Sequence, residues 1–183
     1  QEVFSPPAPV GFRLEDNAPI VADLDLGQYF RPHMGDLLNV GTTEPACDEL
    51  HFLENADDWN DSVTVEFFER VMLRLARRLP DFGVPLKLLG IGALYDVTDD
   101  WIPLYDKSSL NGFFMACGTS GNQFKNAPLV GKFIRALVEA QEQGIDHDMT
   151  PVEFVGESTG NAINLSAFSR LRTQGVTAGN VMG

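Results

Sequence analysis

The 183-residue sequence predicts a mixed α/β protein, and three stretches carry that expectation. "YFRPHMGDLLNVGTTEP" (29–45) has the alternation and turn residues of a β-hairpin, with strands at 28–31 and 37–42 around a turn at 34–36. The run after Asp61 repeats apolar residues at helical spacing, with Phe68, Val71, Met72, Leu75 and Leu79 on one face. "CGTSGNQFKNAPLVGKFIRALVEA" (117–140) joins a glycine turn to a second amphipathic helix, whose apolar residues are Leu129, Val130, Phe133, Ile134, Leu137 and Val138.

The remaining segments follow in chain order. Residues 1–19 are proline-rich and expected to be extended, wrapping a surface or leading in from something missing. Residues 48–61 form an acidic loop ending at a helix cap, Asp61 or Ser62. Arg74, Arg77 and Arg78 occupy the last turns of the first helix, where the dipole favours cations, and Pro80 closes it. They read as a solvated helix end. Residues 84–106 alternate enough for one or two strands, and 108–114 turn into a short, apolar strand at 112–117 that is expected to be buried. Beyond the second helix, 144–183 is weakly apolar, with a compact piece at 161–172 and a loose tail.

Composition narrows the function. Thirteen basic against 26 acidic residues give a formal charge of −13, which repels nucleic acid and anionic membranes. The first residues lack the charged and apolar regions of a secretory signal. Cys47 and Cys117 lie in unlike surroundings, so a disulfide is not expected and a reducing, cytoplasmic compartment is the simpler expectation. His33, His51 and His147 share no metal-ligand spacing.

The chemistry concentrates at the glycine turn. Gly118 and Gly121 allow close approach of the backbone, and a strand, turn and helix in that order aim free N–H groups and a positive dipole end at one place. The expected guest is an anion, or a group that becomes anionic. A helix cap packed tightly on a sheet would use the same residues. No G-x-G-x-x-G follows a strand, since "GIGALYD" has the wrong spacing.

"GALYDVTDDWIPL", "GFFMAC" and "GTSGNQFKNAP" together resemble the C-terminal part of the D-amino-acid oxidase and sarcosine oxidase (glycine oxidase-like) superfamily of FAD enzymes. The matching positions are Gly92, Tyr95, Thr98, Asp100, Pro103, Gly118, Ser120, Gly121, Phe124 and Lys125. The hairpin also looks like the family's substrate-domain hairpin, and "LSAFSRLR" like its usual ending. The resemblance covers about residues 20–172.

It implies an antiparallel substrate-domain sheet with helices, plus the last strand and helix of a Rossmann-like FAD domain supplied mostly by a missing N-terminal half. The implied division is an extended segment 1–19, a substrate portion 20–106, a strand–turn–helix 107–143 and a tail 144–183. Gly92, Ala93, Gly118, Thr119, Ser120, Gly121, Asn122, Gln123, Phe124 and Lys125 would lie against noncovalent FAD. Ala93 stands where some relatives carry a flavin-linked cysteine. Lys125 matches a lysine that holds the substrate carboxylate; it is also placed as an ordinary surface lysine. Tyr29 matches a substrate-side tyrosine or is a cross-strand aromatic, and Arg31 suits a carboxylate fork or a strand-edge salt bridge. Tyr95 belongs to a segment near the flavin, where Thr98 and Asp100 organise a turn. Asn39 stands where the sarcosine oxidase branch has a lysine that assists reaction with oxygen. Asn122 and Gln123 depart from that branch's histidine and glycine.

The expected activity is therefore oxidation of an amine or amino acid by FAD, in company with an N-terminal FAD-binding chain carrying G-x-G-x-x-G. The alternative is a noncatalytic assembly subunit that keeps the fold.

Overall fold

The computed structural model describes residues 1–177. The part of the expected tail at 178–183 lies outside the described residues. The chain divides into two compact units at Leu94 and Tyr95, short of the boundary expected at 106/107. The reason is local: residues 96–102 are hydrogen-bonded to residues that follow them, including the glycine turn.

The first unit is a five-stranded antiparallel sheet with one helix. Its strands are β1 (Glu2–Phe4), β2 (Val21–Asp23), β3 (Gln28–His33), β4 (Leu37–Thr42) and β5 (Gly90–Gly92), in the order β2-β3-β4-β1-β5. The opening segment is extended at its start, where Glu2–Phe4 lies inside the sheet; farther on it is largely exposed and makes a 3-10 turn at Leu14–Asp16. Val3 and Phe4 pair with Gly41 and Val40 on one side and with Ile91 and Gly90 on the other. The expected hairpin is β3–β4, in register from Gln28 opposite Thr42 to His33 opposite Leu37.

Helix α1 (Val65–Arg78) starts later than the sequence suggests. Thr64, not Asp61 or Ser62, is the cap, because its hydroxyl accepts from the Phe67 N–H at 3.3 Å and satisfies one of the orphan donors of the first turn. The apolar face of α1 packs Phe68, Val71, Met72 and Leu75 against Phe4, Phe30, Leu38 and Val40 from the sheet. Alternation then turns Tyr29, Arg31, Asn39 and Gly41 to the opposite face.

The arginines at the end of α1 are not a solvated cluster. Arg74 grips the buried Asp48 through two bonds of 2.6 and 2.7 Å, and Arg78 pairs with the buried Asp23. Arg77 and Arg78 are both exposed, so the solvated reading holds for Arg77 and in part for Arg78, which reaches from the surface to Asp23. Two aspartates far back in the chain supplied what the helix alone could not reveal.

The second unit carries β6 (Leu104–Lys107), β7 (Phe114–Cys117), α2 (Ala127–Glu142), β8 (Glu153–Val155) and β9 (Ala162–Asn164). β6 pairs with β7, and β8 with β9, both antiparallel. Strand β7 is only half-buried, against expectation: Phe114 packs on the apolar cluster while Ala116 is exposed. Among the described residues every strand pair is antiparallel, so the parallel neighbours that would bury β7 on both faces are not among them. Helix α2 buries Phe133, Leu137 and Ala140 but leaves Leu129 exposed. The apolar cluster is small: Tyr105, Phe133, Leu137 and Leu165, with Phe154 edge-on to Phe133 and Phe168 stacked on it at the margin.

Polar contacts close this unit. Asp106 has no exposed surface and accepts from the Ser169 hydroxyl and from the Arg170 N–H and guanidinium. Arg170 also reaches Asp148, and Arg172 binds the buried Asp100. The compact piece expected at 161–172 therefore holds its place by arginines as much as by Leu165.

Candidate functional site

The sheet face of the first unit, opposite α1, gathers three of the expected residues. Arg31 and Asn39 are direct cross-strand partners, and Tyr29 sits opposite Gly41 one step along. Gly41 has no side chain, and the Tyr29 ring lies over it: a Cβ built there would come 2.5 Å from the phenol oxygen and 2.6 Å from Cζ. A glycine inside a strand commonly marks such a close approach. Burial raises the Tyr29 phenol pKa above its ordinary value; Arg31 opposes the shift and Glu44 adds to it. Arg31 donates to the Pro32 carbonyl at 3.3 Å and forms no ion pair among the described residues. Its fork thus keeps donors for an arriving carboxylate.

Gly92 and Ala93 close this unit. Gly92 is buried in β5, where a Cβ would sit 2.9 Å from the Ser62 carbonyl, and its N–H donates to the Asp61 carbonyl. Packing alone accounts for that glycine. Ala93 is exposed and offers no sulfur for a covalent link.

The second unit holds the other candidates. Tyr95 is half-buried with its ring 6.4 Å from that of Trp101. Thr98 and Asp100 do organise a turn: the Thr98 hydroxyl donates to the Ile102 carbonyl at 2.8 Å, and Asp100 accepts from the Ile102 N–H at 3.1 Å. Asp100 also carries Arg172, whose hydrogen bonds outweigh burial and hold the carboxyl far below the usual carboxylate range.

At the glycine turn, Gly118 has φ +68° and packs against Thr98, whose methyl a Cβ would meet at 2.5 Å. Ser120 is fully buried at φ +49°, a left-handed conformation uncommon outside glycine. The turn's N–H groups are not free, contrary to the sequence reading. Gly118 and Thr119 both donate to the Asp96 carboxylate, the Thr119 hydroxyl donates to it at 2.7 Å, and the Ser120 N–H donates to the Asp96 carbonyl at 2.8 Å. An anion does sit at the turn, and the chain provides it. Sequence reasoning passed over Asp96, because nothing local ties an acidic residue after Tyr95 to a turn 22 residues on.

Past Gly121 the chain makes a 3-10 turn, Gln123–Asn126, that runs into α2. The Gln123 carbonyl oxygen accepts from the Tyr105 hydroxyl at 3.0 Å and from Asn126 at 2.5 Å, and Gln123 donates to Asn122. These amides brace the start of the helix. Phe124 is 95% exposed and Lys125 is exposed beside it. An apolar ring, a cation and a helix N-terminus therefore stand together at one end of the unit.

A family model described as DAO, FAD dependent oxidoreductase, matches residues 3–137. That span is well over half the chain and includes the hairpin, α1 and the glycine turn. The chain belongs to this family of FAD-dependent oxidoreductases. A comparison with curated proteins gave no match. Among the described residues no helix is long and apolar enough to cross a membrane.

The residues present fit part of an FAD molecule. Gly118 and Gly121 hold positive φ, a backbone that glycine adopts without strain, and Phe124, Lys125 and the start of α2 suit a flat, electron-rich ring edge. The three N–H groups engaged by Asp96 are closed to it.

Proposed function

We propose that this chain forms the substrate-binding part of an FAD-dependent oxidoreductase of small amines or amino acids. The observation that carries the reading is the shared sheet face of Tyr29, Arg31 and Asn39, with Arg31 free of any ion pair among the described residues. Arg31 binds a substrate carboxylate through its fork, which fixes the α-carbon in position. The Tyr29 phenol, held over Gly41 and kept protonated by its raised pKa, donates a hydrogen bond to the same group. Bound FAD supplies a two-electron acceptor for the hydride on the carbon beside nitrogen. The product is an imine, which water hydrolyses. Within the second unit, Lys125, Phe124 and the first turn of α2 would hold the flavin's polar edge.

A partner chain with G-x-G-x-x-G, binding the ADP half of FAD, completes the proposal. A reducing, cytoplasmic setting suits the free Cys47 and Cys117. One observation favours the alternative of a noncatalytic assembly subunit: Asp96 occupies the N–H groups expected to face the flavin. Co-purification with the partner and anaerobic mixing with a panel of amino acids and N-methyl amino acids separate the two. Bleaching of the flavin band by a carboxylate-bearing amine is the expected result. A complex without flavin, or a flavin that none of the panel reduces, leaves the assembly role.

A further inference from the structure

The Asp96 carboxylate meets the glycine turn more completely than a helix cap or an ordinary loop contact requires. It accepts the Gly118 N–H, the Thr119 N–H and the Thr119 hydroxyl, while its own backbone carbonyl accepts the Ser120 N–H. Four donors of three consecutive residues thus converge on one residue. The turn they fix is otherwise costly. Gly118, Ser120 and Gly121 all have positive φ, and a buried serine in that region stores strain that neighbouring contacts must offset. Thr98 wedges its methyl against Gly118 from the same segment. Residues 96–98 are therefore a mould for the turn.

We propose that Asp96 is the positioning residue of this turn, a built-in anion that shapes residues 118–120 before any ligand arrives and sets the charge beside them. Two consequences follow from its chemistry. The turn's N–H groups stabilise Asp96 rather than a charge developing on a ligand, so Lys125 and the start of α2 are left to do that. The Asp96 charge also opposes further negative charge nearby, which disfavours reduction of a flavin seated at the turn. Partial burial pushes the carboxyl up, but the Thr119 hydroxyl and the two N–H groups outweigh it and hold the pKa below its ordinary value, so the charge persists at neutral pH. The second consequence rests on the proposed flavin site; the first does not.

The test uses the full chain, with its partner where the two co-purify, and compares Asp96→Ala with Asp96→Asn. Amide hydrogen exchange at Gly118, Thr119 and Ser120 reads the mould. Asp96→Ala should speed exchange at Gly118 and Thr119 by about tenfold or more, the scale of losing a hydrogen bond to a charged group. Asp96→Asn keeps one acceptor oxygen and should restore part of that protection. Unchanged exchange in Asp96→Ala overturns the proposal whatever the flavin does. In the flavin-loaded complex, Asp96→Asn should raise the midpoint potential while the visible spectrum keeps its shape. A potential that stays put or falls overturns the charge-setting half. A wild-type complex with no flavin instead removes the flavin reading and leaves the exchange result to judge Asp96.

Discussion

The two units are held together by different physics. In the first, eight large apolar side chains from α1 and the sheet interlock, and the ion pairs of Asp48 and Asp23 lie beside that core. In the second, four residues form the apolar cluster, and buried carboxylates with their arginines fill much of the remaining interior. Apolar burial is indifferent to pH, whereas a buried carboxylate stabilises only while it is charged and paired. The candidate groups divide the same way: Tyr29, Arg31 and Asn39 stand on a sheet backed by hydrocarbon, and the glycine turn stands on a carboxylate.

Acid should expose that contrast most strongly. The Asp148 carboxyl is held down at about 2 from an ordinary value of 3.8, chiefly by hydrogen bonds from Arg170, and Asp100 is held lower still by Arg172. Both folded-state values lie below the unfolded ones. Their contribution is therefore full above about pH 4 and drains away as pH falls through the folded values, with Asp148 failing near pH 2 and Asp100 below that. Each unit carries one tryptophan, Trp59 in the first and the buried Trp101 in the second. In the full chain, Trp101 emission should shift to the red below pH 4, while α1, whose Arg78–Asp23 and Arg74–Asp48 pairs weaken as those depressed carboxyls protonate, should keep more of its exchange protection on its apolar core. Simultaneous loss in both units would erase the distinction.

Substitution comes next in size. Arg170→Ala leaves Asp106 and Asp148 without their shared cation, and breaking a buried pair in this way costs about 3–5 kcal/mol. The loss should appear in the melting of the second unit and in Trp101, with α1 protection unaltered. Leu75→Ala, which opens a cavity in the first unit, costs about 2–5 kcal/mol and should act on α1 alone. If each variant melted both units equally, the units would not be separate in energy.

The sequence disclosed the apolar unit far better than the polar one. The strands of the hairpin and the α1 face follow from periods of two and 3.6, which are local signals, whereas Tyr29, Arg31 and Asn39 are marked out by the family resemblance. The pairs Asp48–Arg74, Asp106–Arg170 and Asp100–Arg172 join residues 26, 64 and 72 positions apart, and a charge carries no period that announces its partner. The same reason hid Asp96 behind the glycine turn. The late start of α1 is a smaller case, in which the two expected caps, Asp61 and Ser62, give way to Thr64, whose hydroxyl bonds to the helix.

Lys125 tests the second unit's share of the chemistry. Lys125→Met removes the charge and keeps most of the length. If the ammonium holds the flavin's polar edge, kcat/KM should fall by the equivalent of about 1.5–3 kcal/mol. Since Lys125 is exposed near the end of the 3-10 turn that runs into α2, the melting temperature should not move. An unchanged kcat/KM would make it a surface lysine.

Asn39 offers the finest test, because it asks what the sheet face lacks. It is the cross-strand partner of Arg31 in the middle of β4, on the face that the proposal gives to the substrate. In the sarcosine oxidase branch that the hairpin resembles, a lysine occupies the matching position. Reduction of oxygen begins with transfer of one electron, which makes superoxide, and a fixed cation nearby stabilises that anion. An amide dipole does so far less well, and the difference widens in a site shielded from water. Arg31 is adjacent, but a guanidinium engaged with a substrate or product carboxylate is already neutralised. The expectation is slow reoxidation of the reduced complex in air-saturated buffer, slower than its turnover with a quinone acceptor. Asn39→Lys should speed reoxidation by about tenfold, the scale of one added charge a few ångströms away in a partly screened site. Stopped-flow absorbance gives both rates. Wild-type reoxidation as fast as turnover would make the complex an oxidase and leave Asn39 with no part in choosing the acceptor.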